Sequence, residues 1–246
     1  MELDRIEGKN AVLEALRAGR PIHKILLLEG AHHPAEIREK ARQLGIPVET
    51  VQRERLNRES VTGHHQGVVA LAAPLAYVPW EEILELAAQR AQDPLLLLLD
   101  GIEDPQNLGA ILRTVETSGA HGVILPKNRA AGLTAAVARA SAGAIEYVPV
   151  ARVTNLARTI EELKERGLWI YGADAQGEKL YWEADFRRPV ALVVGSEGRG
   201  ISRLVKEKCD LLVRIPLQGA VSSLNASVAG ALLLYEALRQ RLEQGR

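Results

Sequence analysis

Apolar positions follow two rhythms along the chain. Up to residue 73, short aliphatic runs alternate with helical spacing. Asn10 to Leu16 reads as helix, Lys24 to Leu28 as strand, Pro34 to Leu44 as helix, and Val48 to Val51 and Gly67 to Ala72 as strands. Pro74 and Pro79 then interrupt the chain, and Trp80 to Ala91 has the pattern of an amphipathic helix. From Leu95 a regular alternation begins. Strands are predicted at Leu95 to Leu99, Gly122 to Leu125, Ile145 to Val148, Leu168 to Gly172, Pro189 to Val194 and Leu211 to Ile215. Helices are predicted at Asn107 to Ser118, Leu133 to Ala140, Asn155 to Arg166, Ser202 to Lys208 and Leu224 to Leu242. Continuous aliphatic strands separated by helices mean a parallel sheet covered on both faces. The expectation is an α/β protein with a small N-terminal α/β domain over 1–73, a linker over 74–93 and a larger domain over 94–246.

Composition narrows this only in part. Apolar residues make up 47% of the chain, with a single Phe, which favours helices on aliphatic strands over an aromatic-rich sandwich. Lys plus Arg and Asp plus Glu balance at 31 each, so any nucleic-acid site must be a local patch. Cys209 has no second thiol to pair with, and the His residues lack zinc-like spacing, so no metal is expected. The opening MELDRIEGKNAVLEAL has charges where a signal peptide is apolar, and the run Leu95 to Leu99 is far short of the ~20 residues of a membrane helix. A soluble, cytoplasmic protein is expected.

In parallel sheets ligands sit beyond the carboxyl ends of the strands, and three unusual segments lie there. In the first, Asp104 is placed to cap a helix with Pro105 at its first position, and Leu108, Ile111, Leu112 and Val115 form a core-facing stripe. Gly109 and Arg113, four residues apart, are expected on the opposite face, where Arg113 reads either as an anion reader or as a solvated partner of Glu116. The second segment, VALVVGSEGRGIS from Val190, carries Gly195, Gly198 and Gly200. Its spacing is neither that of a dinucleotide loop nor that of a Walker loop. Glu197 within it is either an organiser of a partner side chain or a solvated residue of a plain turn. The third, from Ile215 to Glu236, crowds Ser222, Ser223 and Asn225 at a helix start. Ser223 is the expected N-cap, and capping leaves Asn225 unexplained.

Together, Asn107, Gly109 and Arg113 in NLGAILR, GSEGRG from Gly195 and IPLQGAVSSLNASVA from Ile215 resemble, in order, the three motifs of the SpoU/TrmH superfamily of RNA ribose methyltransferases. The resemblance covers Asp93 to Gln240. GKNAVLEAL at Gly8 to Leu16 and HQGVVA at His65 to Ala70 are similar to the RNA-binding domain of RlmB-type enzymes, which resembles ribosomal-protein-like folds.

The resemblance implies a deep trefoil knot in the C-terminal domain, a homodimer with its site at the interface, and S-adenosylmethionine as cofactor. Carried over, the cofactor contacts are Val194, Gly195, Glu197, Gly198, Ile215, Leu217, Ser223, Leu224 and Asn225. Arg113 becomes the catalytic Arg, organised by Asn107 and Glu197, with Ser223 and Asn225 positioning cofactor and substrate. A guanidinium is hard to deprotonate at neutral pH, so Arg113 is read as an electrostatic organiser and the base is left open. The implied reaction is methylation of a ribose 2′-hydroxyl, with a guanosine of 23S rRNA as target. The competing expectations are the same chemistry on tRNA and a silent RNA-binding or assembly factor. Arg38, Lys40, Arg42, Arg53, Arg55, Arg58, Lys127 and Arg129 are candidate phosphate contacts.

Overall fold

The computed structural model describes residues 3–32 and 35–244. Along the chain run β1 (Asp4–Glu7), α1 (Lys9–Arg17), β2 (Ile22–Leu28), α2 (Ala35–Gln43), β3 (Val48–Val51), α3 (Arg53–Glu59), β4 (Val68–Ala72) and α4 (Trp80–Gln89). There follow β5 (Leu95–Asp100), α5 (Pro105–Thr117), β6 (Gly122–Pro126), α6 (Ala135–Ala140), β7 (Val150–Val153), α7 (Leu156–Glu165), β8 (Trp169–Ala173) and β9 (Lys179–Leu180). The last four are β10 (Val190–Gly195), α8 (Arg203–Lys206), β11 (Leu211–Arg214) and α9 (Ala226–Gln244). Contacts group these into two compact units, one of residues up to Ala76 with Gly132–Tyr147, the other of Tyr77–Ala131 with the chain from Val148 onward.

The first unit is a four-stranded sheet in the order β1-β4-β2-β3, antiparallel except where β2 meets β3. Ile6, Val12, Leu16, Ile25, Leu27, Ile37 and Val68 fill its core. Two buried charges tie this unit together. Glu7 accepts hydrogen bonds from Ser60 Oγ, Thr62 Oγ1 and the amides of Val61 and Thr62. Burial alone pushes its carboxyl up, but those donors outweigh burial and hold it below the usual carboxylate range. Arg20 donates to Asp4 Oδ2 at 2.5 Å, to Glu146 Oε1 at 2.8 Å and to the Ala73 carbonyl. Through Glu146 this guanidinium fastens Gly132–Tyr147, a segment distant in sequence, to the strand-and-helix layer of the first unit.

The second unit is a seven-stranded sheet, β7-β6-β5-β10-β8-β11-β9, in which every neighbouring pair is parallel. Its central strands β5 and β10 are buried almost throughout, which is why they read as unbroken aliphatic runs. The segment expected as a linker carries α4, whose Ile83 and Ala87 are buried in this unit. Gly122 makes room for it, since a Cβ there would lie 2.8 Å from Ile83 Cγ2 and from the Pro149 carbonyl.

Several boundaries differ from expectation for local reasons. The strand expected at Ile145 to Val148 is a 3-10 turn, Ala144–Glu146, entered through left-handed Gly143, and the strand follows Pro149. Helix α3 escaped notice because Leu56 is its only buried residue. Strand β1, DRIE, is too short and charged to show an alternation.

Arg20 and Glu146 retain 5% and 2% side-chain exposure, so neither charge has water to fall back on. Arg20→Met should therefore cost about 3 to 5 kcal/mol of stability in urea denaturation, the range for leaving a buried charge without its partner. A loss below about 1 kcal/mol, typical of surface pairs, would contradict this role.

Candidate functional site

Because all seven strands are parallel, their carboxyl ends share one edge of the sheet, and the loops leaving β5, β8, β10 and β11 converge there. The loop after β10 is folded tightly on itself. The Gly200 amide donates to the Ser196 carbonyl at 2.8 Å, and a Cβ on Gly195 would lie 2.0 Å from the Gly200 carbonyl carbon. Gly195 is thus required by close approach, whereas Gly198 (φ 82°) and Gly200 (φ 65°) are required by left-handed backbone. This fold of the loop carries Glu197 toward α5 and α9.

Glu197 is where the three sequence segments meet. Its Oε1 accepts from Asn107 Nδ2 at 2.9 Å and from Asn225 Nδ2 at 2.6 Å, with the Ala226 amide at 3.4 Å. Asn225 Nδ2 also donates to Asn107 Oδ1 at 2.8 Å, closing a three-membered network. The orientation of each amide follows from its surroundings. Asn225, not Ser223, is the N-cap of α9, because its Oδ1 accepts from the amides of Ser227 and Val228 and from Ser227 Oγ. With the oxygen committed to the helix, the amide nitrogen must face Glu197 and Asn107. Asn107 is itself placed by the cap at the start of α5, where Asp104 accepts from the Gln106 and Asn107 amides and Pro105 takes the first helical position.

Beside this network lies a cleft of about 440 Å³ between the loops after β8, β10 and β11. Of the nine residues expected around a cofactor, Val194, Gly195, Glu197, Gly198, Ile215, Leu217, Ser223 and Leu224 line it, and Asn225 stands behind Glu197. Sequence reasoning missed Asp174 and Lys206, which line the same cleft and pair at 2.5 Å. Burial pushes the Asp174 carboxyl up, but Lys206 and the Gln176 amide outweigh it and hold the group ionised. Its position just past the end of β8 was the available signal. Among the described residues, no group of three or more His, Cys, Asp or Glu is placed to hold a metal ion. None of the described helices is long and apolar enough to cross a membrane.

Arg113 stands apart. It is exposed on α5, its guanidinium has no ion pair or hydrogen bond among the described residues, and it does not line the cleft. The alternative pairing with Glu116 does not form. Gly109 does not share its open face but is buried with the core stripe of α5.

The sequence model of the SpoU rRNA Methylase family matches residues 94–235, and that of the RNA 2'-O ribose methyltransferase substrate-binding domain matches residues 5–78. A Bacillus subtilis protein named for the TrmH family of tRNA/rRNA methyltransferases is 49% identical over 97% of this chain and 96% of its own length. The SpoU methyltransferase AviRb of Streptomyces viridochromogenes, solved with its cofactor AdoMet, superposes with a TM-score of 0.81 at 28% identity. That match covers 98% of this chain and 91% of AviRb. An AdoMet-bound rRNA methyltransferase from Sinorhizobium meliloti gives 0.79 at 26% identity over 97% of this chain and 87% of its own. A TrmH/SpoU tRNA-modifying enzyme of A. aeolicus, by contrast, gives 0.57 at 29% identity over 68% of this chain and 85% of its own.

Gly195→Ala should overpack the β10 loop, lowering stability by about 1 to 3 kcal/mol in chemical denaturation. An unchanged midpoint would mean that the close approach of Gly195 to Gly200 does not hold the loop.

Proposed function

Since the chain belongs to the SpoU rRNA methylase family, we propose that it methylates the ribose 2′-hydroxyl of a guanosine in 23S rRNA, using S-adenosylmethionine. The observation that carries this reading is the Asn107–Glu197–Asn225 network standing at the wall of a 440 Å³ cleft. The cleft suits the cofactor on three counts. Its volume is that of pockets for ligands of this size. Val194, Ile215, Leu217 and Leu224 offer aliphatic surface, and Gly195 and Gly198 line it without side chains. Glu197 and Asp174 supply carboxylates for a ligand that bears positive charge.

S-adenosylmethionine, when bound, supplies an electrophilic sulfonium methyl. The task of the chain is then to hold a ribose hydroxyl in line with it and to keep the surrounding charges fixed. Glu197, Asn107 and Asn225 hold the wall of the cleft rigid, and Ser223 presents a hydroxyl from the loop before α9. Arg113, whose guanidinium has no partner among the described residues, is assigned to the ribose or its phosphate, in the site formed with a second copy of the chain. The exposed Val228, Tyr235 and Leu242 on α9 support a face for that second copy. The trefoil threading belongs to the same reading and is supported by the strand order, in which β10 is inserted between β5 and β8.

Residues 1–73 take the RNA-binding role and 94–246 the catalytic one, and the cytoplasm is the compartment in which both substrates meet. An rRNA target is favoured over tRNA because the S. meliloti rRNA enzyme matches 97% of this chain whereas the A. aeolicus tRNA enzyme matches 68%.

Mapping ribose methylation in ribosomal and transfer RNA from cells with and without the protein tests this reading. One 2′-O-methylguanosine of 23S rRNA should disappear and return with the native chain. It should not return with Arg113→Ala, which should still bind S-adenosylmethionine. A change confined to tRNA would overturn the rRNA target, and near-normal turnover by Arg113→Ala would overturn the role of Arg113.

A further inference from the structure

A second, smaller cleft of about 100 Å³ opens at the same edge of the sheet, between the loops after β6, β5 and β10. Arg129 reaches it from the β6 side and Arg199 from the β10 loop. Ser196, Arg199 and Gly200 also line the larger cleft, so the two cavities share one wall. We propose that this small cleft is the receptor for a backbone phosphate of the RNA, gripped by Arg129 and Arg199 beside the wall that it shares with the cofactor cleft, while the adjoining ribose reaches past that wall into the larger cleft.

Three observations carry the assignment, which rests on the methyltransferase reading above. First, neither guanidinium has an ion pair or hydrogen bond among the described residues, whereas Arg20, Arg187 and Arg239 each engage a carboxylate of their own chain. Two uncommitted guanidiniums on one cavity leave their donors free for an anion, and their planar forks match phosphate oxygens. Second, neither acidic residue of the cleft forms an ion pair with its arginines. Asp100 is buried and turned to the Ser202 amide, which donates to its Oδ2 at 2.7 Å, and exposed Glu103 makes no ion pair with either arginine. Third, the chemistry requires such a receptor. A ribose 2′-hydroxyl is carried on the carbon next to the one bearing the 3′-phosphodiester. A hydroxyl that enters the cofactor cleft past the shared wall therefore brings a phosphate to the neighbouring small cleft. Contacts of this kind fix register and orientation rather than sequence. Arg129 is among the sequence candidates, but Arg199 is not, because only the fold brings the β6 and β10 loops to either side of β5.

The test uses the full-length chain and 23S rRNA purified from cells lacking it. Arg129→Gln and Arg199→Gln should each weaken RNA binding about tenfold at 0.15 M salt and raise the KM for RNA in step, and Arg129→Gln, whose side chain lies outside the cofactor cleft, should leave S-adenosylmethionine affinity unchanged. The log–log slope of RNA affinity against salt should fall by about 0.7 to 1, and by little more in the double variant, since both side chains hold one phosphate. Lysine at either position should restore most of the slope, and Glu103→Gln should tighten RNA binding. RNA affinity and salt slope at native values, or a parallel loss of S-adenosylmethionine affinity in Arg129→Gln, would overturn the phosphate receptor. If the native chain itself transfers no methyl group to any RNA, the failure lies instead with the methyltransferase reading.

Discussion

One carboxylate oxygen, Glu197 Oε1, connects the start of α5, the loop after β10 and the start of α9. These pieces lie 90 and 28 residues from Glu197 in sequence, and no other hydrogen bond among the described residues joins all three. One oxygen that accepts from side chains on two different elements is an efficient clasp, because its loss leaves both donors without that partner. The clasp works because its partners are already constrained. Asn225 is oriented by capping α9, Asn107 by the Asp104 cap of α5, and Glu197 by a loop in which Gly195 and Gly200 are nearly in contact.

The sheet determines what the clasp can reach. With β10 between β5 and β8, the loop bearing Glu197 has the larger cleft on its β8 side and the smaller one on its β5 side. The two clefts are thus neighbours that share the β10 loop as a wall, and that loop is folded tightly by its glycines. The family relationship accounts for the recurrence of the parts. The strand order accounts for their arrangement. Arg113 stands outside this arrangement, its guanidinium without an ion pair or hydrogen bond among the described residues.

Much of this was legible in the sequence where one physical cause dominated. The central strands were visible as aliphatic runs because burial on both faces removes any alternation, and the cap formed by Asp104 with Pro105 was visible because it is local. The cap of α9 lies two residues past Ser223, since Ser222, Ser223 and Asn225 can all cap a helix and only the distant partners Asn107 and Glu197 decide among them. Gly109 faces the core rather than the side of Arg113, because spacing gives neighbours on a helix but not which neighbours the tertiary packing covers. The cleft residues Asp174 and Lys206 carry no motif, and their pairing depends on β8 lying beside β10. The attachment of Gly132–Tyr147 to the first unit joins residues more than 120 apart, Arg20 with Glu146 and Glu14 with Tyr147, separations that no local pattern records.

The central claim is that Asn107, Glu197 and Asn225 act as one unit, and a double-mutant cycle on methyl transfer addresses it directly. Turnover should be measured for Asn107→Ala, Asn225→Ala and the pair. A single clasp predicts strong coupling, with the double variant losing little more activity than either single one. Losses that multiply independently would show that the two asparagines act separately and would contradict the account.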